Sequence, residues 1–149
     1  MSMTTVATPG GTTGYYGDLV EPSLRQRLVN RVIKDHDLDE TTAAAIVDGV
    51  LGFLKLCADH PGYQFAPSKN IDIGWHTFLL YTREYWEFCE RLAGRFIHHA
   101  PEDDLPGLDE ELRALRTVDF MSERGIPFDG KLWEASAACA SGGSCRYTG

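Results

Sequence analysis

Four stretches of this chain space their apolar residues three and four apart, and no stretch alternates apolar and polar with a period of two. That pattern confines the fold to packed helices. Leu24, Leu28 and Val32, with Val29 and Ile33, form the first stripe, from Pro22 to about Asp35. Pro22 suits a first helical turn, where its missing N–H costs nothing. The second stripe, Ile46, Val50, Leu54 and Cys57, lies between about Glu40 and Asp59, with Asp39 as N-cap and His60-Pro61-Gly62 as the stop. Gly49 and Gly52 weaken this helix or let another element approach it closely. The third segment runs as one helix from Asn70 to about Ala93. The fourth, from Leu108 to Arg124, puts Leu108, Leu112, Leu115, Val118 and Met121 on one face and stops at Gly125 and Pro127. A short turn surrounds Leu132 and Trp133.

The expected fold is therefore all-α, a compact bundle of four or more helices spanning residues 20–134. Residues 1–19, rich in Thr and Gly without periodicity, read as a disordered arm. Residues 135–149 read as a flexible tail rich in Cys, Gly and Ser. A chain of 149 residues with 43% hydrophobic and 24% charged residues can build one core without staples.

Charge and cysteine usage narrow the function classes. The net charge is −8, the pI is near 5.0, and the 14 basic residues form no cluster. Neither nucleic acid nor an anionic membrane is an expected partner. The N-terminus has no apolar signal region, and no apolar run approaches the roughly 20 residues that span a bilayer. The expectation is a cytoplasmic protein whose four cysteines stay reduced or bind metal. The acidic run EDDLPGLDEE at residues 102–111 lacks the spacing of a calcium loop and reads as a solvated turn.

Candidate chemistry concentrates in the third segment, NIDIGWHTFLLYTREYWEFCERLAGRFIHHAP. Asp72 and His76 are four apart, hence neighbours on one helix face. A carboxylate one turn before an imidazole fixes its tautomer and raises its basicity, as a metal ligand or general base requires. Cys89 lies about 20 Å further along a straight helix and about 140° around it, too far to join His76. It shares a stripe with Trp75, Leu79 and Trp86 and reads as a buried thiol, that face packing on Ile46, Val50 and Leu54. His98 and His99 follow Gly94 in an extended stretch, so their side chains point to opposite sides. Folding back from Gly94, five residues span about 17 Å, whereas His76 lies about 27 Å before Gly94 on an unbroken helix. A shared site for His76 and His99, or less readily His98, therefore requires a bend or break before Gly94.

In the tail, Cys139 and Cys145 are separated by a flexible loop that can bring both sulfurs to one zinc ion or into a disulfide. The best expectation is a small helical zinc-binding protein using His76, His98, His99, Cys139 and Cys145, with Asp72 orienting. Three other readings stay open. One is a non-catalytic module for a protein partner. Another is a thiol-redox protein cycling the tail cysteines, and the last a recognition domain with a modifiable tail.

In the order Asp72, Trp75-His76, Tyr81 or Tyr85, Cys89, Gly94, His99 and Pro101, the chain resembles the glycine-rich domain-containing protein-like family. The stretch RTVDFMSERGIPFDGKLW is similar to that family's aromatic–Gly–Pro–Trp ending. The resemblance spans about residues 45–134 and implies a helical fold, with the Trp-His motif and the late His in one site. Phe78 stands where the common pattern has a second His, and the glycine-rich domain of the plant members is missing.

Overall fold

The computed structural model describes residues 16–99 and 110–134, and among these it contains six helices and no strand. They are α1 (Pro22–His36), α2 (Glu40–Asp59), α3 (Lys69–Leu80), α4 (Thr82–Ala93), α5 (Glu110–Glu123) and α6 (Gly130–Trp133). The architecture is all-α, as the periodicity requires. Cys139 and Cys145, the 135–149 tail, Leu108 and most of the acidic run lie outside the described residues.

α2 is the central helix, contacted by α1, α3, α4 and α6. It buries Ile46, Val50 and Leu54 of its expected stripe, and also Val47, Leu51 and Phe53. A helix apolar over so much of its circumference belongs inside the fold. With 20 residues and a mean hydropathy of 1.5, α2 is also long and apolar enough to cross a membrane by length and composition, which corrects the expectation that no run approaches that limit. Its two glycines admit close neighbours. A Cβ on Gly49 would meet the side-chain ends of Ile71 and Leu132 at 2.7 Å, and one on Gly52 would meet the Tyr16 ring at the same distance. Tyr16, assigned to the arm from composition, is thus a packed residue. Its hydroxyl donates to the Pro127 carbonyl at 3.1 Å.

α1 begins at Pro22 and ends where Asp37 adopts a left-handed conformation. It buries Leu24, Leu28, Val29 and Val32 against α2. Its Arg25 grips the buried Asp48 of α2 through two bonds of 2.7 Å. Asp39 precedes α2 as expected, but its side chain makes no capping bond.

Two expectations from periodicity fail. The third segment is two helices, broken at Tyr81 (φ −94°, ψ 69°). No Pro or Gly marks the break; tertiary bonding does. An unbroken helix would hold Trp75 and Tyr85 about 15 Å apart along its axis, yet Trp75 Nε1 donates to the Tyr85 hydroxyl at 3.0 Å. The break also turns α4, so Tyr85, Phe88 and Cys89 face the core while Trp86 is 53% exposed. The expected stripe of Trp75, Leu79, Trp86 and Cys89 holds for Trp75 and Cys89, is partial for Leu79, and is wrong for Trp86.

In α5 the buried residues are Ala114, Thr117 and Met121, whereas Leu112 and Leu115 are exposed. Thr117 sets this register. Its Oγ1 donates to the Ala66 carbonyl at 2.9 Å and accepts from the Ala66 N–H at 3.0 Å, tying α5 to the loop before α3.

Candidate functional site

The start of α3 is anchored from both sides. Ser68 caps it by accepting from the Ile71 N–H at 3.2 Å, and its hydroxyl donates to the Leu132 carbonyl at 2.8 Å. Asn70 Nδ2 donates to the same carbonyl at 3.2 Å. At Gly74 the helix approaches α2 closely, since a Cβ there would lie 3.0–3.2 Å from Ile46 and Val50 atoms. One face of α3 is thereby fixed to the core. Asp72 and His76 lie on the other side of Trp75, one turn apart.

The second part of the site arrives from beyond α4. Gly94, in a left-handed conformation (φ 72°), ends that helix and releases residues 95–99 back toward α3. The Tyr85 hydroxyl accepts from Trp75 and donates to the Ile97 carbonyl at 2.6 Å. All three of these residues are buried. Two residues on, the His99 ring lies against Trp75, with ring centroids 4.2 Å apart. Trp75 therefore serves both as a core residue and as a wall of the site.

Asp72, His76 and His99 converge at one point. His99 Nε2 is 2.6 Å from Asp72 Oδ1, His76 Nε2 is 3.3 Å from Asp72 Oδ2, and the two Nε2 atoms are 3.1 Å apart. The His76 side chain is 63% exposed, Asp72 28% and His99 18%, so the cluster is open to solvent on one side. The break at Tyr81 supplies the bend that a meeting of His76 and His99 demands.

These contacts cannot all be hydrogen bonds. Each Nε2 carries at most one hydrogen, and an ionised carboxylate only accepts. If both nitrogens donate to Asp72, their N–H groups confront each other across 3.1 Å. If His99 Nε2 accepts from His76, its lone pair confronts Asp72 Oδ1 instead; if His99 Nε2–H is shared between Asp72 Oδ1 and the His76 lone pair, the two shorter contacts are satisfied and the 3.3 Å His76–Asp72 separation is left without a proton. A cation among the three atoms would take all three lone pairs and fits the 3.1 and 3.3 Å edges, whereas the 2.6 Å His99–Asp72 edge has the length of a hydrogen bond. Ligand atoms about 2.0–2.1 Å from a common ion lie about 3.3 Å apart at tetrahedral angles and about 2.9 Å apart at right angles. The observed triangle has edges of 2.6, 3.1 and 3.3 Å.

The other candidate residues lie elsewhere. His98 points away from the cluster, its ring 4.7 Å from that of Phe96, as alternation along an extended chain dictates. Phe78, two positions after His76, is fully buried against Tyr85 and Phe88. A ligand at position 78 would point into the core of this chain. Cys89 is buried and Cys57 half-buried, and burial pushes both thiols up, Cys57 to about 12. Neither supplies a ready thiolate.

A cavity of about 220 Å³ adjoins the cluster, and Asp72, Trp75, His98 and His99 are among the residues that line it. Tyr63, Phe65, Arg95 and Arg113 also line it. The two arginines carried no signal in the sequence, because neither stands in a motif; only folding brings them together.

Fold and cluster together define an all-α domain bearing two histidines and a carboxylate beside a cavity. The chain belongs to the UCP032817-like family, whose model matches residues 18–123 and so includes Asp72, His76 and His99. No curated protein and no solved structure matches it.

Proposed function

We propose that the protein binds a divalent transition metal through Asp72, His76 and His99, with zinc as the first-choice ion. The observation that carries this reading is the convergence of three ligand atoms, His76 Nε2, His99 Nε2 and the Asp72 carboxylate, with separations of 2.6, 3.1 and 3.3 Å. All candidate ligand atoms lie within 4.8 Å of one another. Two imidazoles and one carboxylate form a donor set that suits zinc and also matches the facial triad of non-haem iron sites. Three protein ligands would leave a coordination position for water or substrate. Exposure of His76 and the neighbouring cavity support access to that position. Cys139 and Cys145 are not needed for this three-ligand site.

The test is metal content of protein purified under reducing conditions without added metal, followed by zinc titration of the metal-stripped chain. Saturation at one ion per chain is expected for the parent protein and for His98→Ala. Loss of about 10–100-fold in affinity or more is expected for His99→Ala and for Asp72→Asn. Equal affinity in His98→Ala and His99→Ala would overturn the assignment.

We also propose, on the Trp75-His76 motif and the late His99, that the family is related to glycine-rich domain-containing proteins, and that the chain acts in the cytoplasm.

A further inference from the structure

α6 is the last of the described helices, and its four residues close a single turn, a length that does not hold alone in water. It is held from outside at two places. Leu132 and Trp133 are buried, and the Trp133 ring lies 6.0 Å from that of Phe53 on α2. A Cβ on Gly49 would meet Leu132 Cδ1 and Ile71 Cδ1 at the same 2.7 Å, so these two side chains share the notch that the glycine leaves in α2. The Leu132 carbonyl makes the second tie. It accepts from the Ser68 hydroxyl and from Asn70 Nδ2, so both of its lone pairs face donors at the start of α3.

Those donors belong to the turn that carries Asp72. Ser68 caps α3 through the Ile71 N–H, and its carbonyl accepts from the Asp72 N–H at 2.8 Å. Asp72 thus sits in a first turn that α6 fixes from one side. His99 reaches it at 2.6 Å from the segment beyond α4, which is placed by the Trp75–Tyr85–Ile97 bonds without α6. The carboxylate and the imidazole have separate supports.

We infer that α6 is a latch on the site: docking of residues 130–133 holds Asp72 opposite His99, and undocking frees the first turn of α3 while the helices behind it stay packed. Short terminal elements with few buried side chains are the ones that open locally, below the cost of global unfolding. A ligand that Asp72 and His99 grip together binds the docked form more tightly, and it must strengthen docking by the same factor. For zinc that step rests on the function proposed above. The hold of α6 on Asp72 does not.

Amide hydrogen exchange of the full chain, with and without zinc, reads both. Leu132→Ala empties the notch at Gly49. Asn70→Ala, at a half-buried position, removes one bond to the Leu132 carbonyl and spares the core. Lys131→Ala, at an exposed position of α6, is the control. In metal-free protein, Leu132→Ala and Asn70→Ala are each expected to speed exchange at Ile71 and Asp72 at least about fivefold more than at Val50 in the core of α2. Lys131→Ala is expected to match the parent. Zinc is expected to slow exchange of the Leu132 amide, which donates to the Asp129 carbonyl, by about fivefold or more, and Asn70→Ala to weaken zinc by a similar factor. Equal acceleration at Val50 and Asp72 would make α6 an ordinary part of the core, and unchanged zinc affinity in folded Asn70→Ala would show that Asp72 stands without it; either overturns the inference. A chain that takes up no zinc sinks the metal reading, and the metal-free exchange then decides the latch by itself.

Discussion

Tyr85 donates its hydroxyl hydrogen to the Ile97 carbonyl oxygen at 2.6 Å, and this one bond ties the first turn of α4 to the extended segment that ends in His99. Because the same hydroxyl accepts from Trp75, the residue just before His76 is connected to the residue two before His99. A buried relay thus joins the two halves of the cluster in addition to their direct contacts.

Tyr85→Phe removes the relay while keeping the ring. It leaves the Trp75 N–H and the Ile97 carbonyl buried without their shared partner, at a cost of about 1–3 kcal/mol each. Urea unfolding should therefore show a loss of at least about 1 kcal/mol. Zinc affinity should fall about tenfold or more in the folded variant, since His99 loses its positioning. Unchanged zinc binding in a destabilised but folded Tyr85→Phe protein would confine the hydroxyl to a structural role.

The two tryptophans flanking the break should behave differently. Trp75 is 4% exposed and touches Phe53, Tyr85 and His99, so Trp75→Ala should cost about 3–5 kcal/mol. Trp86 lies on the outer face of α4, so Trp86→Ala should change stability by no more than about 0.5 kcal/mol. Denaturant midpoints of the two variants decide the matter; similar losses would place Trp86 back in the core.

That contrast marks where sequence reading reaches its limit. The stripes of α1 and α2 are legible because both helices run unbroken, so the spacing of Leu24, Leu28 and Val32 or of Ile46, Val50 and Leu54 reports a buried face directly, although α2 buries other faces as well. Asp72 and His76 are legible as neighbours because helical spacing alone makes them so. The phase of α4 is not, because the break at Tyr81 carries no Pro or Gly and arises from a Trp75–Tyr85 bond between residues ten apart. The same limit applies to α5, whose inward face is chosen by Thr117 bonding to Ala66 rather than by its leucines. His99 was legible only conditionally, through the chain-length arithmetic that required a bend. Arg95 and Arg113 had no local signature at all.

Asp48 is almost wholly buried, and its pair with Arg25 supplies the third prediction. Burial pushes the Asp48 carboxyl up, and the Arg25 bonds pull it partly back. Arg25→Met would leave a buried carboxylate without its cation, at a cost of about 3–5 kcal/mol near neutral pH. The sign of the pH effect follows from the raised carboxyl. A folded value above the unfolded one contributes stability that is present below about 3.8 and lost as pH rises through the folded value. Without Arg25 the folded value rises further, so the gap between parent and variant should narrow as pH falls from 7 toward 5. Urea unfolding of both proteins across that range checks it, and a gap that widens toward acid would contradict it.

The last prediction concerns the half-buried Cys57 and the buried Cys89. Burial raises the Cys57 thiol to about 12 from an ordinary value near 9, and it raises Cys89 in the same direction. Above about pH 9 the unfolded chain therefore loses thiol protons that the folded chain keeps, and stability falls with rising pH until the folded thiols also ionise. Cys57→Ala removes one of these groups, so its stability should fall less steeply than the parent's between pH 8 and pH 10, whatever its absolute stability. The same burial predicts slow chemistry. In a Cys139→Ser/Cys145→Ser background, a thiol reagent at pH 8 should label neither Cys57 nor Cys89 quickly in the folded chain, and both after unfolding in urea. Rapid labelling of the folded double variant, together with an unchanged alkaline slope in Cys57→Ala, would show that these thiols are accessible and that their burial does not govern their ionisation.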